Sequence, residues 1–191
     1  MEPEELRKLV NKSDNEARRQ LFEAYYKKTF TVAYNILRNR ENAEDITQDA
    51  FIKAFQKIHQ LQDQTKFGAW LAVIASNLAR NFLKREKRID YTDEEIIIEN
   101  SSEANYTEEI AMRSLEIDRV QQAIKALPPD HYQVVVLQYY YDLRVEEIAS
   151  MLKLSPGTVK SRLHRARQRL AKNLELENDS ACHRDKGSER E

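Results

Sequence analysis

The sequence has few of the residues that cross-link, bend or anchor a chain. It contains one cysteine, Cys182, so no disulfide can form within the chain, and with its neighbour His183 it offers too few ligands for a zinc site. Only 3 of the 191 residues are glycine, which favours helices over sheets. There is no run of about 18 apolar residues and no apolar segment in the charged start MEPEELRKLV. We therefore expect a cytoplasmic, all-α protein without cofactor, metal or membrane insertion.

A strong excess of charge of one sign is also absent, since the formal net charge is −1. The charges are nevertheless segregated along the chain. Arg80 to Arg88 holds five cations and one acid, residues 90–118 hold ten acids and one cation, and Lys153 to Lys172 holds seven cations and no acid. Two basic segments thus flank an acidic connector, and such basic segments are typical of nucleic-acid binding.

The stretch VEEIASMLKLSPGTVKSRLHRARQRL, Val145 to Leu170, predicts two short helices joined by a tight turn. Ser155 is a predicted N-cap and Pro156 a predicted first-turn proline of the second helix. On that helix one narrow apolar stripe is expected to pack inward: Val159, Leu163, Ala166 and Leu170. This pattern predicts a helix-turn-helix.

The rest of the second helix carries a polar and positive surface, which we call the basic face. It consists of Lys160, Ser161, Arg162, His164, Arg165 and Arg167. A surface of this kind suits the major groove of DNA. The alternative is a solvated basic helix without a ligand, but a solvated face normally mixes both signs of charge.

The segment ENAEDITQDAFIKAFQKI, Glu41 to Ile58, predicts a helix with one apolar side and a second side that mixes acidic and large apolar groups. We call this second side the acidic-apolar face; it consists of Asp45, Gln48, Asp49, Ile52 and Phe55. The mixture favours a protein interface. The alternative is that Ile52 or Phe55 packs on a neighbouring helix of the same domain. No histidine or metal-ligand set accompanies these carboxylates, so catalysis is not expected.

The segment FGAWLAVIASNLARNFLKREKR predicts a long helix after a polar loop, His59 to Lys66. One side of it, the amide-cation face, consists of Asn77, Arg80, Asn81, Lys84 and Arg88. Amides can bind base edges and cations can bind phosphates. The aromatic rings of Phe67 and Trp70 can either stack on unpaired bases or pack in the core.

The predicted architecture is two small helical domains joined by an acidic, flexible linker. The expected divisions are a short charged helix or frayed leader over 1–20, a first domain over 21–88, the linker over 89–115, a second domain over 116–174 and a disordered tail over 175–191. In the second domain Asp130 is expected to cap the helix HYQVVVLQYYYDL, whose apolar and aromatic residues would form the core around the helix-turn-helix.

Four motifs in this order resemble the extracytoplasmic-function group of bacterial RNA polymerase sigma factors, in the sigma-70 family. They are NAEDITQDAFIKAF, WLAVIASNLARNFLKREKR, LPPDHYQVVVLQYYYDL and VEEIASMLKLSPGTVKSRLHRARQRL, and they lie between Leu21 and Leu174. The resemblance implies a subunit without catalytic activity that binds core RNA polymerase, directs it to promoter DNA and helps to melt that DNA. It also implies a partner anti-sigma factor, often membrane-anchored.

The resemblance also implies a role for each face. The acidic-apolar face would bind core polymerase, and the amide-cation face would bind the minus-10 element. The loop His59 to Lys66 would hold a base flipped out of the melted strand. The basic face would read the minus-35 element, and the acidic linker would thread the polymerase cleft.

Two other classes of function compete with this interpretation. A conventional helix-turn-helix regulator with an N-terminal dimerisation or effector domain would bind its operator alone, but it gives no reason for the amide-cation face. An enzyme acting on nucleic acid would need a metal or nucleophile constellation, which the sequence lacks.

Overall fold

A computed structural model describes residues 3–12, 15–89 and 119–185, with side chains over 4–10, 15–86 and 119–174. Across these ranges all regular structure is helical, as predicted. The helices are α1 (Pro3–Lys12), α2 (Asn15–Leu37), α3 (Arg40–Lys57), α4 (Phe67–Ile89), α5 (119–125 as described), α6 (Pro129–Val135), α7 (Val145–Leu152) and α8 (Pro156–Asp185). Two 3₁₀ turns, Ile58–Gln60 and Gln64–Lys66, join α3 to α4, and a π-helical turn, Val136–Tyr140, follows α6.

Helices α1 to α4 form the first domain, in which α2, α3 and α4 pack on one another. The centre of this core includes the fully buried side chains of Leu21, Phe67 and Leu71. Helix α1 adds Leu6 and Val10, each only 4% exposed, to the same cluster. Because these residues are four apart, they lie on one side of α1 and can both face α2. The segment expected as a charged helix or leader is therefore part of the packed domain.

Helices α5 to α8 form the second domain around the predicted helix-turn-helix. Lys153, at the end of α7, has the left-handed φ of 54°, and the N–H of Leu154 donates to the carbonyl of Ala149 at 2.9 Å. This arrangement ends α7 and turns the chain into α8. The Ser155 hydroxyl accepts the N–H of Thr158 at 3.1 Å, which confirms the predicted cap. Of the predicted stripe, Val159, Leu163 and Ala166 are buried and Leu170 is half-buried.

Two expectations for the start of this domain are wrong. Asp130 does not cap α6, because Pro128 occupies the cap position and the Asp130 side chain bonds elsewhere. Tyr139 and Tyr140, expected in the core, are 63% and 58% exposed. They lie at the end of the π-helical turn, where the wider turn rotates the following residues away from the α-helical pattern.

The predicted disordered tail over 175–191 is wrong for residues 175–185, which continue α8. No glycine or proline lies between Gly157 and Gly187, so no helix-breaking residue ends α8 earlier. The predicted linker, apart from its first residue Ile89, lies outside the described residues. No helix within the described ranges is long and apolar enough to cross a membrane.

The two domains pack against each other, a contact that the sequence does not predict. Their buried residues form a shared apolar cluster, with Val32 of α2 and Val73 of α4 on one side and Leu137 on the other. Polar bonds surround this cluster: the Asn35 amide donates to the Tyr132 hydroxyl at 2.8 Å. The Arg38 guanidinium donates to the carbonyl of Lys125, and burial lowers the pKa of Arg38.

Gly68 at the start of α4 allows a particularly close approach between the domains. A Cβ atom at this position would lie 2.6 Å from Cε1 of Tyr25 in α2 and 3.1 Å from Cε1 of Tyr141 in the second domain. Burial in this contact raises the pKa of Tyr141. The space between the two domains at position 68 is therefore too small for any residue larger than glycine, unless its neighbours shift.

Candidate nucleic-acid interface

The acidic-apolar face lies on the outer side of α3. Asp45, Gln48 and Asp49 are exposed, and Ile52 is 55% exposed, so the alternative of packing within the domain is wrong for Ile52. Phe55 is half-buried: its ring centroid lies 5.8 Å from that of Phe51, and the guanidinium carbon of Arg18 lies 5.9 Å from the Phe55 ring. The structure thus supports both interpretations for Phe55, which packs on one side and remains accessible on the other.

An apolar groove of about 540 Å³ runs between this face and α2. Its lining consists of Phe22, Tyr26, Gln48, Phe51, Ile52 and Phe55. The ring centroids of Phe22 and Phe51 are 4.7 Å apart, and those of Phe22 and Tyr26 are 5.1 Å apart. Half-buried aromatic rings that line an open groove are suited to receive apolar side chains of another protein.

Sequence reasoning missed the contribution of α2 to this groove. The available signal was a series of aromatic residues at intervals of four: Phe22, Tyr26, Phe30 and Tyr34. Such residues lie one above another along a helix. In the structure consecutive rings of this series lie within 6.3 Å of each other. The periodicity alone did not reveal that α3 would lie beside them.

The amide-cation face lies on α4, opposite buried Leu71, Ala75 and Ala79. Four of its predicted members are brought together: Asn77, Asn81 and Lys84 are exposed, and Arg80 is half-buried. The backbone of the fifth, Arg88, continues α4, but its side chain lies outside the described residues.

Two side chains of α6 contact this face, and sequence reasoning missed both. Asp130 forms an ion pair with Arg80. The Gln133 amide donates to the Asn77 carbonyl oxygen at 3.4 Å, and the same oxygen accepts from Arg80 at 2.6 Å. Asn77 and Arg80, the first two residues of the predicted minus-10 surface, therefore bind side chains of the second domain.

The loop His59 to Lys66 is shaped by its two 3₁₀ turns. The Asp63 carboxylate accepts the hydroxyl of Thr65 at 2.6 Å and its N–H at 3.0 Å, and the hydroxyl bond is the main cause that lowers the pKa of Asp63. Lys66 binds Glu147 of α7. This bond lowers the pKa of Glu147 and raises that of Lys66.

The two aromatic residues after this loop differ in accessibility. Phe67 is fully buried and its centroid lies 5.4 Å from that of Tyr25, so the alternative of base stacking is wrong for Phe67. Trp70 is half-buried and lines a groove of about 600 Å³ between the loop and α7. Trp70 therefore remains available to a planar ligand. In the described part of the chain no group of three or more His, Cys, Asp or Glu side chains can hold a metal ion.

The basic face lies along the first four turns of α8. Lys160, Ser161, His164, Arg165 and Arg167 are exposed, as a groove-reading surface requires. Arg162 differs, because it is half-buried and its guanidinium lies 3.0 Å from the Asp130 carboxylate.

The positive charge of α8 affects a neighbouring histidine. Burial lowers the pKa of His131, and the charges of Arg169, Arg162 and Arg165 lower it further. The same cations provide the local positive potential that attracts a DNA backbone.

Comparison with protein families matches both domains. The family model described as "Sigma-70 region 2" matches residues 21–89, and "Sigma-70, region 4" matches residues 117–170. The chain is 35% identical over 175 residues to the "ECF RNA polymerase sigma factor SigW" of Bacillus subtilis (strain 168), covering 87% of this chain and 94% of the relative. It is 28% identical to the "RNA polymerase sigma factor YlaC" of the same organism, covering 81% and 90%.

Solved structures share the fold. The sigma factor RpoE of Bartonella quintana, solved with the anti-sigma factor NepR, aligns with a TM-score of 0.62 at 25% identity, over 83% of this chain and 96% of RpoE. CnrH, solved with the cytosolic domain of CnrY, aligns with a TM-score of 0.60 at 23% identity, over 90% and 98%.

The two helical domains and their matches define a bacterial sigma factor of the sigma-70 family. The 35% identity to an ECF sigma factor extends over 87% of this chain. It therefore assigns the protein to the extracytoplasmic-function group of RNA polymerase sigma factors. The resemblance noted in the sequence is confirmed. The assignment of individual residues to polymerase, minus-10 and minus-35 contacts stays a prediction.

Proposed function

We propose that this sigma factor uses three separate surfaces to direct transcription initiation in the cytoplasm. The acidic-apolar face and its groove bind core RNA polymerase. The amide-cation face binds the minus-10 element, and the basic face reads the minus-35 element. The protein itself has no catalytic activity; it places the polymerase on the promoter and stabilises the melted strand.

The observation that supports this proposal best is the groove between α2 and α3. Ile52 is exposed at its rim among acidic side chains, although an isolated helical domain gains stability by burying an isoleucine. A partner with apolar side chains and positive charge would bury Ile52 and pair with Asp45 and Asp49. This requirement calls for a protein partner, which core polymerase provides in this proposal.

The basic face supports the minus-35 role through its chemistry. Arg165 and Lys160 are exposed, and both residue types bind the O6 and N7 atoms of guanine in the major groove. Arg167 lies on the flank of the same helix, where a cation meets phosphates. Each phosphate that is neutralised contributes roughly one unit to the slope of log affinity against log salt concentration.

The loop His59 to Lys66 and Trp70 support the minus-10 role. They border an open groove, and α4 continues from this groove into the amide-cation face. Unstacking a base costs a few kcal/mol, and contacts to the extruded base offset that cost. Stacking on an accessible indole contributes roughly 1 to 3 kcal/mol of this compensation.

An anti-sigma factor is the second proposed partner. The related RpoE of Bartonella quintana was solved with one. We expect the anti-sigma factor of this protein to compete with core polymerase, and the α2–α3 groove is the surface on which both would meet.

The experiment that tests the polymerase contact combines Phe55→Ala with Asp49→Lys. The double variant removes an aromatic ring from the groove and reverses a charge at its rim. We expect it to lose detectable binding to purified core polymerase in pull-down, while thermal unfolding shows the helical fold retained. Lys53→Ala is the control, since Lys53 is exposed on the same helix outside the groove lining. Unimpaired binding by the double variant would contradict the proposed contact.

A further inference from the structure

Helix α1 lies before the residues that the region 2 family model matches, which begin at residue 21. None of the three proposed surfaces includes it. In the structure α1 packs against two elements, α2 and the 3₁₀ turn Gln64–Lys66. This turn belongs to the loop His59 to Lys66, which we propose to hold a base flipped out of the melted strand. Helix α1 is therefore a direct neighbour of the proposed base-binding loop.

The apolar side of α1 shares a buried cluster with this loop. Leu6 and Val10 are each 4% exposed, and Leu61 of the loop is 8% exposed in the same cluster. Phe67, which directly follows the loop, is fully buried there. We call these four side chains the α1 cluster. The polar stretch between Leu61 and Phe67 is thus anchored at both ends in a cluster that α1 helps to form.

The polar side of α1 acts on the loop through charge. The Thr65 hydroxyl bond is the main cause that lowers the pKa of Asp63, and the positive charges of Lys66 and Arg7 also lower it. Arg7 belongs to α1, so its charge favours the ionised Asp63 carboxylate that accepts the N–H and hydroxyl of Thr65. Helix α1 therefore supports the shape of the loop by charge as well as by packing.

The loop and Trp70 border the same open groove. Leu61, Asp63 and Lys66 belong to its lining, whereas no described residue of α1 does. The Trp70 ring lines the groove and also packs against the α1 cluster, with its centroid 6.3 Å from that of Phe67. Helix α1 can thus act on a ligand in this groove only through the loop and Trp70.

An arrangement of this kind affects binding by ordering the groove in advance. A loop that becomes ordered only when its ligand binds loses part of the binding free energy to that ordering. Packing against α1 fixes the loop and the indole before DNA arrives. Helix α1 can therefore strengthen the capture of a base without touching DNA.

We infer that Leu6 and Val10 are positioning residues for the capture of an unpaired promoter base, because through the α1 cluster they hold the loop His59 to Lys66 and Trp70 in place. This inference rests on the proposed base-binding role of the loop. Weakening the packing of α1 lowers the affinity that one base of the melted strand contributes, and it leaves the contributions of the other nucleotides unchanged.

The first measurement follows the groove in the free protein. Trp70 is the only tryptophan in the chain, so its fluorescence reports on the groove without a label. Leu6→Ala shortens a side chain of the α1 cluster, and we expect it to raise the acrylamide quenching constant of Trp70 about twofold. Leu6→Met conserves most of the volume, so we expect it to keep the wild-type quenching constant. Circular dichroism establishes that each variant is folded.

Two further variants separate positioning from a general loss of stability. Val10→Ala removes less of the α1 cluster, and we expect it to act in the same direction as Leu6→Ala with a smaller loss of stability. Ile46→Ala is the matched control, because Ile46 is buried in α3 about 16 Å of helix before its last residue, Lys57. It removes a comparable apolar volume from the same domain, and we expect it to leave the quenching of Trp70 unchanged.

The second measurement follows base capture in the holoenzyme. The probes are the non-template strand of a promoter that the wild-type holoenzyme transcribes and copies of that strand with an abasic site at each position in turn. Fluorescence anisotropy gives the affinity for each probe. In the wild type we expect an abasic site at the captured base to lower the affinity about tenfold, the effect of one lost stacking contact. At the same site we expect a loss of about threefold with Leu6→Ala and the full wild-type loss with Ile46→Ala.

The two measurements separate three outcomes that would overturn the inference. Equal quenching of Trp70 in Leu6→Ala, Val10→Ala and Ile46→Ala would show that α1 does not hold the groove in place. Raised quenching with an undiminished abasic loss would make α1 a structural helix without a role in base capture. A wild-type holoenzyme that tolerates every abasic site would refute the proposed base-binding role of the loop itself. That last failure is visible in the wild type, whereas failure of the inference alone appears only in the variants.

Discussion

The two proposed DNA surfaces of this sigma factor differ in their contacts within the chain. On α8 five of the six residues of the basic face are exposed. On α4 Asn77, Asn81 and Lys84 are exposed, but α6 contacts both Asn77 and the half-buried Arg80. If the proposed roles hold, duplex DNA would meet an open minus-35 surface, whereas DNA at the minus-10 surface would have to displace Asp130 from Arg80.

The largest effect is expected from a substitution that disturbs the packing between α4 and the second domain. Gly68→Ala would place a Cβ 2.6 Å from Tyr25 and 3.1 Å from Tyr141, and we expect it to lower the free energy of unfolding by about 3 kcal/mol, the upper part of the range for overpacking. Urea denaturation measures this loss.

Gly157, the second glycine within the helices that the structure describes, provides a control of opposite sign. At Gly157 a Cβ atom would meet nothing nearer than 3.8 Å, so we expect Gly157→Ala to stabilise α8 by about 0.5 kcal/mol. Equal effects of the two substitutions would mean that the close contact at Gly68 does not constrain the domains.

The exposed surface can be tested through Arg165. We expect Arg165→Ala to weaken binding to minus-35 duplex by about 1 to 3 kcal/mol and to relax its sequence preference. Arg169→Ala is the charge-matched control: Arg169 adds to the positive potential of α8 but lies outside the basic face, so we expect its loss to affect cognate and scrambled duplexes equally. Competition binding with cognate and scrambled duplexes separates the outcomes. A loss equal on both duplexes would make Arg165 a phosphate contact.

The covered surface can be tested through Arg80. In the free protein this side chain already has Asp130 as a partner, whereas DNA would replace that partner in the holoenzyme. We expect Arg80→Gln to weaken minus-10 binding by the holoenzyme by about 1 kcal/mol and to affect the free protein less. Anisotropy titrations with and without core polymerase measure both. A larger loss in the free protein would show that α4 is not covered before polymerase binds.

The smallest effect concerns pH and the contact between Lys66 and Glu147. The pKa of Glu147 is lowered, so its stabilising contribution is present above the unfolded value of about 4.3 and is lost as pH falls through the folded pKa. The pKa of Lys66 is raised, so its contribution is present below about 10.4 and is lost as pH rises through the folded pKa. We expect Glu147→Gln to flatten the acid limb of stability against pH. An unchanged limb would exclude this contact as its source.

Local pattern was enough to predict much of the second domain. The spacing of Val159, Leu163 and Ala166, together with the cap at Ser155, defined the recognition helix and its buried side. The period of α3 likewise separated its core side from Ile52. These features depend on residues within a few turns of one another, which is the range over which periodicity and capping operate.

The features that the sequence did not reveal depend on distant contacts. Arg80 and Asp130 are 50 positions apart, and no periodic pattern relates them. Phe22 and Phe51 form one groove only because α2 and α3 pack side by side. Asp130 after two prolines has the sequence signature of a cap, and only the position of the neighbouring helices shows that its carboxylate binds two arginines instead.

Run-off transcription with purified bacterial core polymerase, with and without this protein, on a pool of promoter fragments from its host tests whether the protein directs polymerase to promoters. We predict selective transcripts that appear only when the protein is added. An absence of such transcripts, together with specific binding of the same fragments by the protein alone, would contradict a sigma-factor role and favour a conventional regulator whose acidic-apolar face serves as a dimer interface.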